Sequence, residues 1–348
     1  MYKIVNLETF TVSQDTVADL LKQEIGNIKQ VLGLLLLDGF LFNNKCNIDL
    51  LDNSIDLHVV AGIVNDQHQY KNVIHFDFMM HTVFMGYKNK ETYIWNKNSN
   101  KFLFLGGVPN RFNRAGLLNK FRKSDLLKHS VYTFFKPWTE EQEQWCKNNV
   151  DGYDKIIEQS IDDVYSLSKH YGTNPSQNVW TKNIGWIEPA VYKSTVLSII
   201  SEGVSSNDLT SRYLTEKTYR VFVQRHPFLH ASTPDMFRYI KELGFKTFEE
   251  YMIIQDYAYL NNEDERLQAI VKNTKYFLEN YRRFEDDIEN DINYNYDHFF
   301  KLAQSNADKL LYIKDKFNIE QDEIDKWFNQ TGFSHLIRKF QQDENKIK

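Results

Sequence analysis

Apolar residues fall into short continuous runs over the first hundred positions of the chain and into spacings of three and four over the last hundred. Short apolar runs bounded by turn formers read as buried strands, and the wider spacing reads as one face of a helix. By this pattern Asp15–Gln30 is helical, Val31–Leu37 is the tail of that helix or a buried strand, and His58–Val64 and Val73–Phe78 are buried strands. The polar, turn-rich stretch Asn96–Lys101 sets a domain boundary near residue 98. Past it, Phe102–Leu105 is an apolar strand, Gly106 and Gly107 follow, and NRFNRAGLLNKF reads as a helix. Thr139–Asn149 reads as a helix with Thr139 as N-cap and Gln142 completing a capping box. Trp186–Val191 and Thr195–Ile200 read as extended.

The densest pattern runs from Leu214 to Phe248. Thr215 caps a helix whose first turn holds Glu216, a short strand lies around Pro227–Leu229, and the turn Ser232–Pro234 opens a second helix that stops at Gly244. Helical spacing returns over Leu267–Phe284 and Phe299–Phe317, and Asp322–Phe340 supplies closing helices. The acidic run Phe284–Asp297 reads as a solvated helix face or a connection.

A length of 348 residues favours two domains, and a 42% hydrophobic share is enough to build a core for each. A net charge of -5 argues against a dedicated nucleic-acid coat while leaving room for a local basic cleft. The cysteines, Cys46 and Cys146, are too few for a disulfide framework, which fits a reduced, cytoplasmic setting. The start MYKIVNLETF does not read as a secretory signal, and no apolar run approaches the length of a membrane span.

Two places concentrate residues suited to an anion. Gly106-Gly107 after a buried strand allows close backbone approach, and Arg111 and Arg114, three apart, share a face at the following helix start. Two guanidinium groups converging on such a turn suit a diphosphate, although an ordinary strand–turn–helix with solvent-facing arginines has the same spelling. Glu216 and Lys217 stand at a second helix start, where an acid also serves plain dipole stabilisation. Glu202, after the Thr195–Ile200 strand, is within a loop's reach of a bound nucleotide, though such an acid is more often a surface residue. His75, Asp77 and His81 do not space as metal ligands, and the chain has no D-x-D triplet, so no metal is expected. Asp38, in an Asp-Gly turn, is a second acid of the first domain. P-loop, H-E-x-x-H, G-x-S-x-G and complete G-x-G-x-x-G motifs are all missing from the sequence.

The segment LTEKTYRVFVQRHPFLHASTPDMFRYIKELGFKTF resembles the donor-binding half of GT-B glycosyltransferases of the phage and large-virus type. G-G-x-x-x-R-x-x-R at Gly106–Arg114 is similar to the donor turn of phage DNA glucosyltransferases, with Pro109 and Asn110 interrupting the loop. The resemblance implies an α/β GT-B fold of two Rossmann-like domains facing a cleft: an acceptor domain over 1–98, a donor domain over 99–320, and a C-terminal helix over 321–348 packing back. It implies a metal-independent glycosyltransferase without a resident cofactor, using a UDP- or GDP-linked sugar. Gly106, Gly107, Arg111 and Arg114 would hold the diphosphate, Glu216 the ribose, with Lys217 adding charge. Asp77, the acid ending the Val73–Phe78 strand, would be the general base, with Asp38 its rival. The acceptor would be a hydroxyl on a glycan, a protein or a hydroxymethylated base of phage DNA. A degenerate GT-B fold acting as a non-catalytic viral interaction protein is the alternative from another class.

Overall fold

The computed structural model describes residues 3–6, 30–35, 56–61, 73–88, 94–107, 111–134, 139–156, 189–202 and 214–320. The described residues form a mixed α/β structure with two four-stranded parallel sheets. The chain divides into two compact units. One takes in Met1–Gly86, Leu209–Tyr213 and Lys301–Lys348, the other Tyr87–Asp208 and Leu214–Phe300. The sequence pattern sets its boundary near 98, whereas this division runs between Gly86 and Tyr87 and gives the last described turns to the first unit. The expected helix Asp15–Gln30, Asp38 and the closing helices of 321–348 lie outside the described residues.

The first unit holds β1 (Lys3–Asn6), β2 (Gln30–Leu35), β3 (Asp56–Ala61) and β4 (Val73–His75), hydrogen-bonded side by side in chain order. Val31–Leu37, ambiguous by pattern, is therefore mostly strand. The expected strand Val73–Phe78 is cut short, because α1 (Phe78–Tyr87) starts three residues after β4 ends. The sequence VIHFDFMMH is mostly apolar and interrupted by His75, Asp77 and His81 without a clean period, a spelling open to both strand and buried helix. Asp77 settles the matter by accepting a hydrogen bond from the Met80 N–H, 2.8 Å, as a helix N-cap does.

The second unit adds β5 (Phe102–Gly107), α2 (Phe112–Lys123), β6 (Ser130–Phe134), α3 (Glu140–Asn149), α4 (Pro189–Lys193), β7 (Leu197–Ser201), α5 (Glu216–Val223), β8 (Phe228–Ala231), α6 (Pro234–Glu242) and α7 (Glu263–Asn280). The last helix, α8 (Glu285–Phe317), starts here, and its closing turns belong to the first unit. The sheet order is β6-β5-β7-β8. The chain steps outward from β5 to β6, then returns across β5 to lay down β7 and β8, so the order reverses between β5 and β7. In open parallel sheets ligands bind outside the carboxyl ends of the strands at such a switch point. Every residue of β6, β7 and β8 is buried, as expected of parallel strands covered on both faces.

Aromatic rings form the core of this unit. Phe102 and Phe104 of β5 pack on Phe121 of α2, with ring centroids 4.7 and 5.8 Å away. Phe222 of α5 stacks on Phe245 at 3.9 Å and meets Phe228 of β8 edge-on. Thr215, Thr233 and Thr139 cap α5, α6 and α3 by accepting from Lys217, Met236 and Gln142 N–H groups. The reciprocal arm of the Thr139 capping box is not made: among the described residues Gln142 Oε1 has no hydrogen-bond partner. Gly244 ends the second helix at φ +89°, where the Phe245 N–H reaches back to the Ile240 carbonyl.

One expectation gives way, and one open alternative is decided. Pro189–Val191, read as extended, belongs to the short helix α4, because proline is well tolerated in a first helical turn. The acidic run after Phe284, read as a solvated helix face or a connection, is the helix face: it opens the 33-residue α8. Glu285, Asp286 and Asp287 occupy its first turn, where the dipole favours them. Lys97 bridges Glu285 and Glu289 one turn apart. Among the described residues no helix is long and apolar enough to cross a membrane.

Candidate functional site

The carboxyl ends of β5, β7 and β8 carry the chemistry of the second unit. β5 ends in Gly106-Gly107, and the glycines matter there for packing. The pairing register with β6 shifts between Leu105 and Gly107, which leaves Gly106 as the extra, bulged residue. A Cβ on Gly106 would stand 2.1 Å from Cε1 of the Phe134 ring. The first glycine therefore admits a neighbouring side chain, a role distinct from the ligand approach read from sequence. Gly107 pairs with Phe134 as the last residue of β5.

Arg111 stands at the N-cap of α2, exposed, with extended backbone. Arg114, one turn on, is 7% exposed and so departs from the picture of two solvent-facing arginines. Burial draws its pKa down to about 10, Arg111's charge adds to that, and Glu202 and Glu216 oppose it. An arginine stays charged across the physiological range, so Arg114 is a desolvated cation with a second cation beside it. Between the two, Asn113 donates through Nδ2 to the Glu202 carbonyl, 3.1 Å, and more weakly to the Ala231 carbonyl, 3.5 Å. That side chain ties the start of α2 to the ends of β7 and β8.

Glu202, the residue after β7, is fully buried. Its Oε1 accepts from the Thr215 N–H, 3.1 Å, and from the Thr218 hydroxyl, 2.5 Å. His230 Nε2 of β8 lies 3.0 Å from Thr218 Oγ1 and 3.8 Å from Glu202 Oε1. Burial pushes the Glu202 carboxyl up, but His230, Lys217 and the Thr215 N–H outweigh it and hold the group below the ordinary carboxylate range. Glu202 Oε2 and the Ser201 hydroxyl, both buried, have no hydrogen-bond partner among the described residues.

At the start of α5, Glu216 Oε1 lies 3.1 Å from Lys217 Nζ and 3.9 Å from Arg220 Nη1. Burial works against its charge, yet Lys217 and Arg220 keep its carboxyl below the ordinary range. Arg111, Arg114, Glu216 and Lys217, picked out from sequence, thus belong to one electrostatic neighbourhood, joined by Arg220 and by the buried Glu202. Four cations against two carboxylates leave a positive excess beside two helix N-termini, an arrangement that attracts phosphate groups.

Asp77 belongs to the first unit. It is buried, caps α1, and has its backbone held from both sides by Asn306, which accepts from the Asp77 N–H at 3.0 Å and donates to its carbonyl at 2.8 Å. His81, expected at a change of direction, lies within α1 with its ring 5.3 Å from that of Phe76. Among the described residues no cluster of His, Cys, Asp and Glu is arranged to hold a metal ion.

Sequence reasoning missed Asn113, Thr218 and His230, and gave Glu202 little weight. An acid, two threonines and a histidine scattered over 202–230 share no spacing, so only the fold of β7, α5 and β8 brings them together. Comparison of the chain with protein-family models, with curated proteins and with solved structures gives no match.

Proposed function

We propose that this protein is a metal-independent glycosyltransferase of the GT-B type, with the second unit as the donor domain for a UDP- or GDP-linked sugar. The observation that carries the reading is the group Arg111, Arg114 and Lys217, on two helix starts at the switch point of a parallel sheet, with Arg220 one turn further along α5. In the transfer the bond between the sugar's anomeric carbon and the diphosphate oxygen breaks, and the nucleoside diphosphate leaves with the electron pair. Arg111 and Arg114 would stabilise the charge developing on that leaving group, the largest lever such a site has. Glu216 would accept from the ribose hydroxyls and Lys217 would add charge. An acceptor hydroxyl, on a glycan, a protein or a hydroxymethylated DNA base, attacks the anomeric carbon from the opposite face. Asp77 of the first unit would take its proton.

Thermal shift with UDP and GDP, with and without EDTA, tests the donor half. A ligand that binds only the folded state raises Tm by mass action, and here the rise should survive chelation. No shift with either nucleotide overturns the reading, and a shift abolished by EDTA overturns its metal independence. Asp77→Asn tests the base. Asparagine caps a helix about as well as aspartate, so α1 should persist. Donor binding should survive while transfer stops, and transfer at the wild-type rate would move the base to another acid, Asp38 first.

A further inference from the structure

We infer that Glu202, Thr218 and His230 form a buried clamp that positions the Glu216–Lys217 helix start for its anionic ligand. The inference rests on the reading above for what that ligand is. α5 is only eight residues long, so its own hydrogen bonds fix its first turn weakly. The carboxylate of Glu202 reaches in from the end of β7 and takes the Thr215 N–H and the Thr218 hydroxyl on a single oxygen. His230, from the end of β8, meets the same hydroxyl, and its Nδ1 is 2.6 Å from Ser232 Oγ. Two adjacent strands therefore hold one turn of helix through Thr218. That residue is fully buried and cannot touch a ligand, whereas Glu216 and Lys217, two and one positions before it, are partly exposed.

A second consequence concerns Arg114. Glu202 is one of the two anions that offset its desolvated charge, so the clamp also sets how much positive charge the site presents. Lys217 acts on Glu202 in turn, and the Tyr257 hydroxyl fixes His230 from the other side by accepting its backbone N–H at 2.9 Å. The group thus joins both helix starts without lining the site, which makes its members positioning residues.

The test is isothermal titration of wild type, Thr218→Val and Thr218→Ser with UDP, GDP and inorganic pyrophosphate. Valine keeps the shape and removes the hydroxyl, and affinity should fall on the order of tenfold, the equilibrium weight of one buried hydrogen bond. Serine restores the hydroxyl and should restore affinity. Wild-type affinity in a folded Thr218→Val protein overturns the clamp, as does a Thr218→Ser protein as weak as the valine variant. Should Thr218→Val not fold, Glu202→Gln replaces it, with weakened binding expected and unchanged binding overturning the idea. If wild type binds pyrophosphate but neither nucleotide, the donor reading falls and the same comparison on pyrophosphate decides the clamp. If it binds none of the three, both fall.

Discussion

Lowering the pH from 7 to 5 should destabilise the second unit through His226, buried just before the amino end of β8. His226 is 2% exposed, with Nδ1 2.8 Å from the Ser198 hydroxyl and Nε2 2.9 Å from the Thr195 carbonyl. A carbonyl only accepts, so Nε2 carries the hydrogen and Nδ1 accepts from Ser198, and the neutral ring is satisfied on both sides. Burial draws its pKa down from 6.5 to about 4, with the backbone carbonyls around it pulling weakly the other way. In the unfolded chain the ring takes its proton near the ordinary value, so between the two pKa values the unfolded state binds more protons and stability rises with pH. The contribution is complete above about 6.5 and drains away as the pH falls toward 4. At about 1.4 kcal/mol per pKa unit the full span is worth roughly 3 kcal/mol, of which about 2 kcal/mol is lost by pH 5. The depressed carboxyls Glu202 and Glu216 lose their contributions only below their ordinary 4.5, and the other histidines are common to wild type and a His226 variant, so the difference between the two proteins from pH 7 to 5 reports this ring. Urea unfolding of wild type and His226→Gln, followed by tryptophan fluorescence at pH 7, 6 and 5, measures the effect. The variant should be less stable at pH 7 and have the shallower slope. Equal slopes in the two proteins would refute the argument.

Three further outcomes are expected. Arg111→Ala should weaken nucleotide binding while changing stability by less than about 0.5 kcal/mol, since the residue is exposed, whereas Arg114→Ala should also lower Tm by removing a buried group beside Glu202 and Glu216; titration and thermal melts on the same samples separate the two. Gly106→Ala should cost about 1–3 kcal/mol by forcing the Phe134 ring aside, and Phe134→Leu in the same chain should return part of it, as paired denaturation curves would show. Glu216→Gln should weaken donor affinity with little effect on transfer at saturating donor, and an unchanged donor Kd returns Glu216 to a plain helix-start role.

The strands and caps of the second unit were readable because they are local. Phe102–Leu105 and Thr195–Ile200 are apolar runs between polar turns, and Thr215, Thr233 and Thr139 announce the helices they cap. The strand over Val73–Phe78 reads three residues too long because its pattern does not distinguish strand from buried helix, and the deciding Asp77 cap looks from sequence like any strand-end acid. Arg114 could not be known to be buried, since its burial comes from the ends of β7 and β8 meeting the start of α2 through Asn113. His226 and His230 gave no signal, because their partners Thr195, Ser198 and Glu202 stand nearly thirty residues earlier. What depended on spacing within one element was legible, and what depended on strand order was not.

The order β6-β5-β7-β8 also has a consequence for synthesis on the ribosome. β5 is an inner strand, yet Phe102 finds its partner Leu197 only nearly a hundred residues later in the chain. At the usual pace of translation the edge of β5 that β7 will cover waits about 5–20 s for its partner. During that interval β5 and β6 can pair, but they offer an unprotected apolar edge to other nascent chains. Slower growth temperatures or a holdase chaperone should therefore raise soluble yield more than any stabilising substitution late in the chain. A fragment ending before Leu197 should be recovered mainly as aggregate.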